Sequence, residues 1–376
     1  MRIAVNTRLL LPNKLDGIGF FTYETLKRIT KANPEHEFYF IFDRPYSEEF
    51  IFSDNVIPVV AHPQARHPYL WYLFFEYSIP RKLKKIKPDL FLSTDGWIPT
   101  KLNIKTVNVI HDLNFVHFPD FIKPVLYRHY FKRFFPLFAK KPDRIVTVSN
   151  FSKQDIVKTY NIPADKIDVV FNGSDERYKP VDEKTKNIIK EKYTNSSEFF
   201  LFVGTIHKRK NLDNIFRAFD LFKQKNESNF KLVVVGQKKW WKGDIEDSFN
   251  SMQYKDDVIF LGRVEIEELH KITASAFALL YVSLFEGFGI PILEAFNAET
   301  PVITSNVSSM PEVAGDAAML VNPNSVDEIA MAMDILYKNE DIRNMLIERG
   351  RVRKEMFSWE NTAKSLWKTI DKVLQS

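Results

Sequence analysis

Two glutamates eight residues apart, Glu286 and Glu294, bracket the segment Glu286-Gly287-Phe288-Gly289-Ile290-Pro291-Ile292-Leu293-Glu294. Spacing alone says little, because Glu183/Glu191 and Glu340/Glu348 repeat it in charged, helix-like stretches. Only Glu286/Glu294 follows a strand-like run (Ala278 to Val282), spans a Gly-x-Gly turn and has a proline placed to open a helix. That context puts Glu286 on a strand-end rim and Glu294 in the first helical turn, with backbone amides between them. Carboxylates in such places accept sugar and ribose hydroxyls, and amides at a helix N-terminus accept phosphate. The competing role for Glu294 is a carboxylate that complements the helix dipole.

A second cluster is Val203-Gly204-Thr205-Ile206-His207-Lys208-Arg209-Lys210-Asn211, in which three cations follow a strand end and precede a helix starting near Leu212. Arg209 suits bidentate contact with phosphate oxygens and Lys210 adds a compact charge; the alternative is a solvated basic loop. His111-Asp112 follows the strand-like run Thr106 to Ile110. A histidine there donates to a substrate oxygen, works as acid or base, or is simply structural. Gly17-Ile18-Gly19 is like a shortened dinucleotide fingerprint, but nine residues separate it from a strand ending near Thr7, and Thr22 stands at the third position. A dinucleotide turn must follow its strand at once, so the pattern argues against an NAD site. A loop whose glycines admit a ligand and an ordinary flexible loop both remain open. The chain has no cysteine, which excludes disulfides, a thiolate nucleophile and Cys-ligated metal. It has no Asp-x-Asp triplet, which argues against a carboxylate-held Mg²⁺ or Mn²⁺ bridging a diphosphate.

Elements must hold these groups at one edge. In the first half Ile3-Ala4-Val5, Glu37 to Phe42, Asp89 to Ser93, Thr106 to Ile110, Arg144 to Val148 and Lys166 to Phe171 read as strands, and Gly19 to Lys31 as a helix. Ser149-Asn150-Phe151-Ser152 has the form of a helix cap. A charged stretch near Pro180 to Ser197 reads as a linker. The alternation then restarts with Phe199 to Val203, Lys231 to Val235, Val258 to Leu261, Ala278 to Val282, Pro301 to Thr304 and Ala318 to Val321. Strands separated by helices in two runs predict an α/β chain of two doubly wound, Rossmann-like domains. Expected bounds are 1–180 and 181–355. The tail 356–376 carries apolar residues at helical spacing and is expected to be a helix crossing back to the first domain.

The 376 residues include 27% charged and 45% hydrophobic residues with a net charge of +5. This is enough for two ordinary cores. No run of 18 apolar residues occurs and the N-terminus lacks the form of a signal peptide, so a soluble, cytoplasmic protein is expected. From Arg66 to Arg144 the chain has 15 Lys/Arg against 6 Asp/Glu, interleaved with aromatics such as Trp71, Phe74, Phe75, Phe131 and Phe134. Such a stretch meets an anionic bilayer, nucleic acid or a phosphorylated substrate, or else its aromatics are core and its cations the solvated face.

Taken together, the chain resembles, nearly end to end, the family-4 retaining glycosyltransferases of the GT-B fold. The resemblance is carried by Gly17/Gly19, Asn108-Val109-Ile110-His111-Asp112, Val148 to Ser152, Asn172-Gly173, and Gly204 with Arg209-Lys210-Asn211. Leu261-Gly262-Arg263-Val264, Glu286 to Glu294 and Pro311-Glu312-Val313-Ala314-Gly315 complete it. It implies two Rossmann-like domains facing across a cleft, acceptor-binding then donor-binding. It also implies that Arg209 and Lys210 neutralise the diphosphate of a nucleotide sugar in place of a metal, and that Glu294 holds the ribose. Glu286 and the amides of Phe288, Gly289 and Ile290 would hold the donor sugar and distal phosphate; Gly262, Arg263 and Val264 would face the base. His111 would reach the sugar, and Gly17 and Gly19 would lie near the donor phosphate or acceptor. Many members have Arg directly after the glycine where this chain has Thr205, so Arg209 must supply the second cation.

The implied reaction is metal- and cofactor-independent transfer of a hexose, with retention, to a saccharide or lipid-linked saccharide in surface polysaccharide assembly. The expected donor is GDP-mannose, with UDP-sugars next. No nucleic-acid partner is expected, and peripheral contact with the inner face of an anionic membrane is. A nucleotide-sugar epimerase of the same architecture would need a further base for proton abstraction. A non-enzymatic nucleotide-sugar-binding module would be expected to lack one of the paired carboxylates or the Arg-Lys pair, and both are present.

Overall fold

The computed structural model describes residues 1–12, 14–15, 17–122, 125–238 and 241–376. They form two compact units, Met1–Gly173 with Ser358–Ser376, and Ser174–Phe357. The first holds strands β1 (Arg2–Asn6), β2 (Glu37–Phe42), β3 (Val56–Val60), β4 (Leu90–Ser93), β5 (Lys105–Val109), β6 (Arg144–Thr147) and β7 (Ile167–Val169). They pair in parallel in the order β3-β2-β1-β4-β5-β6-β7. The second holds β8 (Phe199–Val203), β9 (Lys231–Val235), β10 (Val258–Gly262), β11 (Ala278–Tyr281), β12 (Val302–Ser305) and β13 (Met319–Val321), ordered β10-β9-β8-β11-β12-β13. Helices cover parallel sheets on both faces, which is why the central strand β8 reads Phe-Phe-Leu-Phe-Val without polar alternation. Burying Phe200, Phe202, Leu232, Val234 and Leu280 beneath the helix Leu212–Asn226 gives the second unit its core.

Several boundaries differ from expectation. The residues expected to be linker, 180–197, contain the helix Glu183–Thr194, whose Asp182 cap accepts the Thr185 amide at 2.7 Å. The units divide at 173/174 and 357/358, against the expected 180 and 355. Gly173 is obligatory there, because a Cβ would fall 2.3 Å from the Trp359 nitrogen. The tail forms the helix Trp359–Gln375, capped by Ser358, and packs in the first unit on the helix Gly17–Ala32. Trp359 meets Phe20 edge-on at 5.6 Å, and Arg28 pairs with Glu360 at 2.8 Å. Gly17 and Gly19 are therefore not in a loop: they lie in the first turn of that helix.

The aromatics of the basic stretch divide. Trp71, Phe74 and Phe75 are core, with Trp71 4.5 Å from Trp97 and Trp97 stacked on Tyr130 at 5.3 Å. Phe131 and Phe134 are half-buried. A different set points outward: Tyr69, Tyr72, Leu73 and Tyr77 from the segment 68–78, and Val125, Leu126 and Leu137 from the helix Val125–Lys140. Among the described residues no helix is long and apolar enough to cross a membrane.

Candidate active site

The second sheet grows outward from β8 through β9 to β10, then returns to the other side of β8 with β11. Ligands of doubly wound sheets bind at the carboxyl ends of strands on either side of such a switch. Here the rim after β8 carries His207 to Asn211, and the rim after β11 carries Val282 to Ile290. The two are stitched together. Leu284 N–H donates to the Arg209 carbonyl at 2.8 Å. Buried Asn211, in the left-handed region at φ +61°, donates from Nδ2 to the carbonyls of Val282 (3.0 Å) and Pro323 (2.7 Å). Lys210 Nζ donates to the Tyr281 hydroxyl at 3.0 Å, and Arg209 Nη1 to the Phe285 carbonyl at 2.5 Å.

Glu286 is the centre of this arrangement. Only 7% exposed, it places Oε2 2.5 Å from Arg209 Nη1 and Oε1 2.6 Å from Lys210 Nζ. Burial works to raise its carboxyl, but Lys210 and Arg209 prevail and hold it near 2. His207 caps the short turn Lys208–Lys210, its Nδ1 accepting the Arg209 amide at 3.1 Å. That bond makes Nε2 the protonated nitrogen of the neutral ring, and burial together with Arg209 and Lys210 lowers the imidazole to about 4. Glu286 has its backbone clamped from β12's rim. Ser308 Oγ accepts the Glu286 amide at 3.0 Å and bonds its carbonyl at 2.5 Å; Ser309 Oγ bonds the carbonyls of Glu286 (2.9 Å) and Phe288 (2.7 Å).

Gly289, at φ +114°, turns the chain into the helix Ile290–Asn297. Pro291 has no N–H and the Ile292 amide donates to the Gly289 carbonyl at 3.0 Å, so the N-terminal amides that can meet a ligand here are those of Gly289 and Ile290. Phe288 itself is buried against Phe357 at 5.7 Å. Because the helix starts at Ile290, Glu294 falls in its second turn rather than the first. There it receives the hydroxyl of buried Tyr178, and burial followed by the nearby Asp175 charge raises its carboxyl to about 8. One turn on, Asn297 Nδ2 donates to the Asp175 carbonyl at 3.1 Å.

Thus Arg209, Lys210, Glu286, Phe288, Gly289, Ile290 and Glu294 gather about one switch point. Gly262, Arg263 and Val264 lie on the same edge, at the end of the outer strand β10, where the Gly262 carbonyl accepts the Gly236 amide at 2.7 Å. His111, Gly17 and Gly19 belong to the first unit. His111 follows β5, its Nε2 2.9 Å from the Thr94 carbonyl and its ring edge-on to Phe21 at 5.0 Å. Sequence reasoning missed Tyr178, Asp175, Tyr281, Ser308 and Ser309. The strand-end rule that singled out the rims of β8 and β11 reaches Ser308 and Ser309 when applied to β12; nothing marked Tyr178, which lies just before the stretch read as linker and within the expected first domain. Among the described residues no group of three or more His, Cys, Asp or Glu is gathered as a metal site would require.

Comparison with known proteins agrees with the two-sheet fold. Residues 15–178 match the model of Glycosyltransferase Family 4, and residues 183–353 that of Glycosyl transferases group 1. O-antigen chain mannosyltransferase B of Escherichia coli is 26% identical over 358 residues, covering 92% of this chain and 93% of that protein. O-antigen chain mannosyltransferase RfbU of Salmonella typhimurium is 30% identical over 272 residues, covering 72% of this chain and 71% of that protein. In fold, the chain is similar to sucrose-phosphate synthase from Thermosynechococcus elongatus (TM-score 0.79, 16% identity, 100% and 99% of the two chains). It is also similar to Anabaena Alr3699/HepE in complex with UDP and glucose (TM-score 0.74, 12% identity, 99% and 100% covered).

Proposed function

The chain belongs to the GT-B glycosyltransferases, which move a sugar from a nucleotide-sugar donor to an acceptor, and on that premise we propose that it transfers mannose from GDP-mannose. The acceptor is a saccharide or lipid-linked saccharide of a surface polysaccharide, and the anomeric configuration is retained. The observation that carries the site is the joining of Arg209, Lys210 and Glu286 to a helix N-terminus at the β8/β11 switch point. The two cations neutralise the diphosphate without a metal, and the Gly289 and Ile290 amides take oxygens of the distal phosphate. Glu294 accepts the ribose hydroxyls, Glu286 those of the donor sugar, and the Gly262–Val264 backbone meets the base. By the family resemblance, His111 is the residue assigned to hydrogen-bond the donor sugar. The acceptor hydroxyl attacks the anomeric carbon as its bond to the leaving phosphate breaks. A phosphate oxygen takes the hydroxyl's proton.

Likeness to the O-antigen mannosyltransferases favours mannose; the HepE structure's UDP and glucose make UDP-glucose the necessary comparison. Nucleoside diphosphate release is measured with each donor, with and without an alkyl mannoside as acceptor. Release from GDP-mannose that requires the acceptor is expected. Isomerised nucleotide sugar without acceptor would mark an epimerase, binding without turnover a non-enzymatic module, and release from UDP-glucose alone would replace the donor.

A second reading concerns place. The helix Val125–Lys140 shows solvent Val125, Leu126 and Leu137 among His129, Lys132, Arg133 and Lys140, next to outward Tyr69, Tyr72 and Tyr77. Apolar tips within a basic field suit the headgroup region of an anionic bilayer, with about 1 kcal/mol from each nearby cation. The enzyme then works at the cytoplasmic face of the membrane. It should sediment with phosphatidylglycerol vesicles and release as salt rises; equal sedimentation with neutral vesicles, or none, would oppose this placement.

A further inference from the structure

Glu286 is placed where a ligand's charge should go. Its single carboxylate spans two cations, Arg209 at 2.5 Å and Lys210 at 2.6 Å, in a site that leaves it 7% exposed. A diphosphate brought to the same two cations would face this carboxylate as a like charge in a poorly solvated pocket. The two anions cannot share the cations at these distances without strong repulsion. Ser308 and Ser309 fix the Glu286 backbone through its amide and carbonyl, so the main chain holds its place while the side chain has rotamers to change.

We propose that Glu286 is an internal stand-in for the donor diphosphate. It holds Arg209 and Lys210 in position in the unliganded enzyme, is displaced when the diphosphate arrives, and turns to the donor sugar. Two half-buried cations side by side repel each other, and the carboxylate offsets that repulsion between turnovers. It also keeps both cations ordered, so the diphosphate meets a prearranged pair. Arrival of the diphosphate is then the event that delivers a carboxylate to the sugar, and Glu286 opposes nucleotide binding while serving transfer. This rests on the reading that Arg209 and Lys210 hold the diphosphate.

Calorimetric titration of the full chain with GDP and with UDP tests it in wild type, Glu286→Gln, Glu286→Asp and Lys210→Ala. Glutamine keeps the size and drops the charge, so GDP should bind about tenfold tighter, the factor expected for one charge-assisted contact no longer broken. Transfer should fall in the same variant. Aspartate, one methylene shorter, cannot bridge both cations and should also bind GDP more tightly, while Lys210→Ala binds it at least about tenfold more weakly. Melting temperature serves as a fold control: Glu286→Gln should melt lower than wild type alone and gain more on GDP addition. Weakened binding in Lys210→Ala with unchanged or weaker binding in both Glu286 variants overturns the inference and leaves the diphosphate reading intact. Unchanged binding in Lys210→Ala overturns that reading and the inference with it.

Discussion

Glu294→Gln should become more stable than wild type as pH rises from about 5 to 8. The Glu294 carboxyl is raised from its ordinary 4.5 to about 8 by burial and then by Asp175, against the Tyr178 hydroxyl, Arg177 and Lys210. Between those two values the folded chain keeps a proton that the unfolded chain has released. Stability therefore falls with pH through that window, is unaffected below about 4.5, and levels off above about 8. The slope is about 1.4 kcal/mol per pH unit, and the accumulated cost at pH 8 is on the order of 3–5 kcal/mol. Glutamine keeps the hydrogen-bonding shape and cannot titrate, so the difference between the two proteins isolates this group. For a domain of this size the gap in melting temperature should widen by about 4 °C per pH unit. Melts at half-unit steps from pH 5 to 8.5, without nucleotide, read it directly. Tyr178→Phe removes a bond to the charged form and should carry the wild-type slope to higher pH. Parallel melting profiles for Glu294→Gln and wild type, or a gap that grows toward acid, would refute the assignment of a half-buried, proton-holding carboxyl.

Four further outcomes follow from the same geometry. Donor turnover should persist in EDTA, because Arg209 and Lys210 supply the counter-charge; loss that Mn²⁺ restores would contradict this. Asn211→Ala takes the Asn211 amide from the Val282 carbonyl, leaves the Pro323 carbonyl to Asn214 Nδ2 alone at 3.0 Å, and puts alanine at φ +61°, so urea unfolding should show a loss of about 2–4 kcal/mol. Gly236→Ala would set a Cβ 1.8 Å from the Gly204 carbonyl oxygen at φ +153°, and soluble expression of the folded chain should be lost. His111→Ala should lower turnover while GDP affinity by calorimetry stays as in wild type; an equal loss of affinity would place His111 in nucleotide binding instead.

The strands were legible because a sheet covered on both faces needs continuous apolar runs, and Phe199–Val203 or Leu90–Ser93 are little else. The missed strand β3 shows the limit of that signal. Its Pro58 interrupts the pattern, yet β3 is at the sheet's edge, where a residue without an N–H is tolerated. The helix Glu183–Thr194 escaped notice for a related reason. It buries only Ile189 and Thr194, so its sequence is almost wholly charged or polar and looks like a connector. Gly17 and Gly19 misled in the other direction. Glycine weakens a helix interior, but the first turn lacks intrahelical acceptors for its amides and places less demand on the residues there.

The site was legible by residue type and strand-end position, and illegible in its pairing. Arg209 and Lys210 were read as charges awaiting phosphate, and Glu286 as an acceptor awaiting hydroxyls, each judged by what it could offer a ligand. No local signal joins them, since about 75 residues and three strands separate the two segments. Their contact is a consequence of sheet order: β11 returns to pair with β8, and the two rims close on each other. Once they meet, burial changes what each group is. An exposed Glu beside an exposed Arg adds little, whereas a carboxylate 7% exposed between two cations cannot be removed without taking its counter-charge from both. Glu294 is the reverse case: the hydroxyl it receives comes from Tyr178, in a segment that sequence placed outside the site, and burial beside Asp175 drives the carboxyl toward its neutral form. Two carboxylates of one motif, eight residues apart, are thus driven to opposite ionisation states by partners that only the fold supplies.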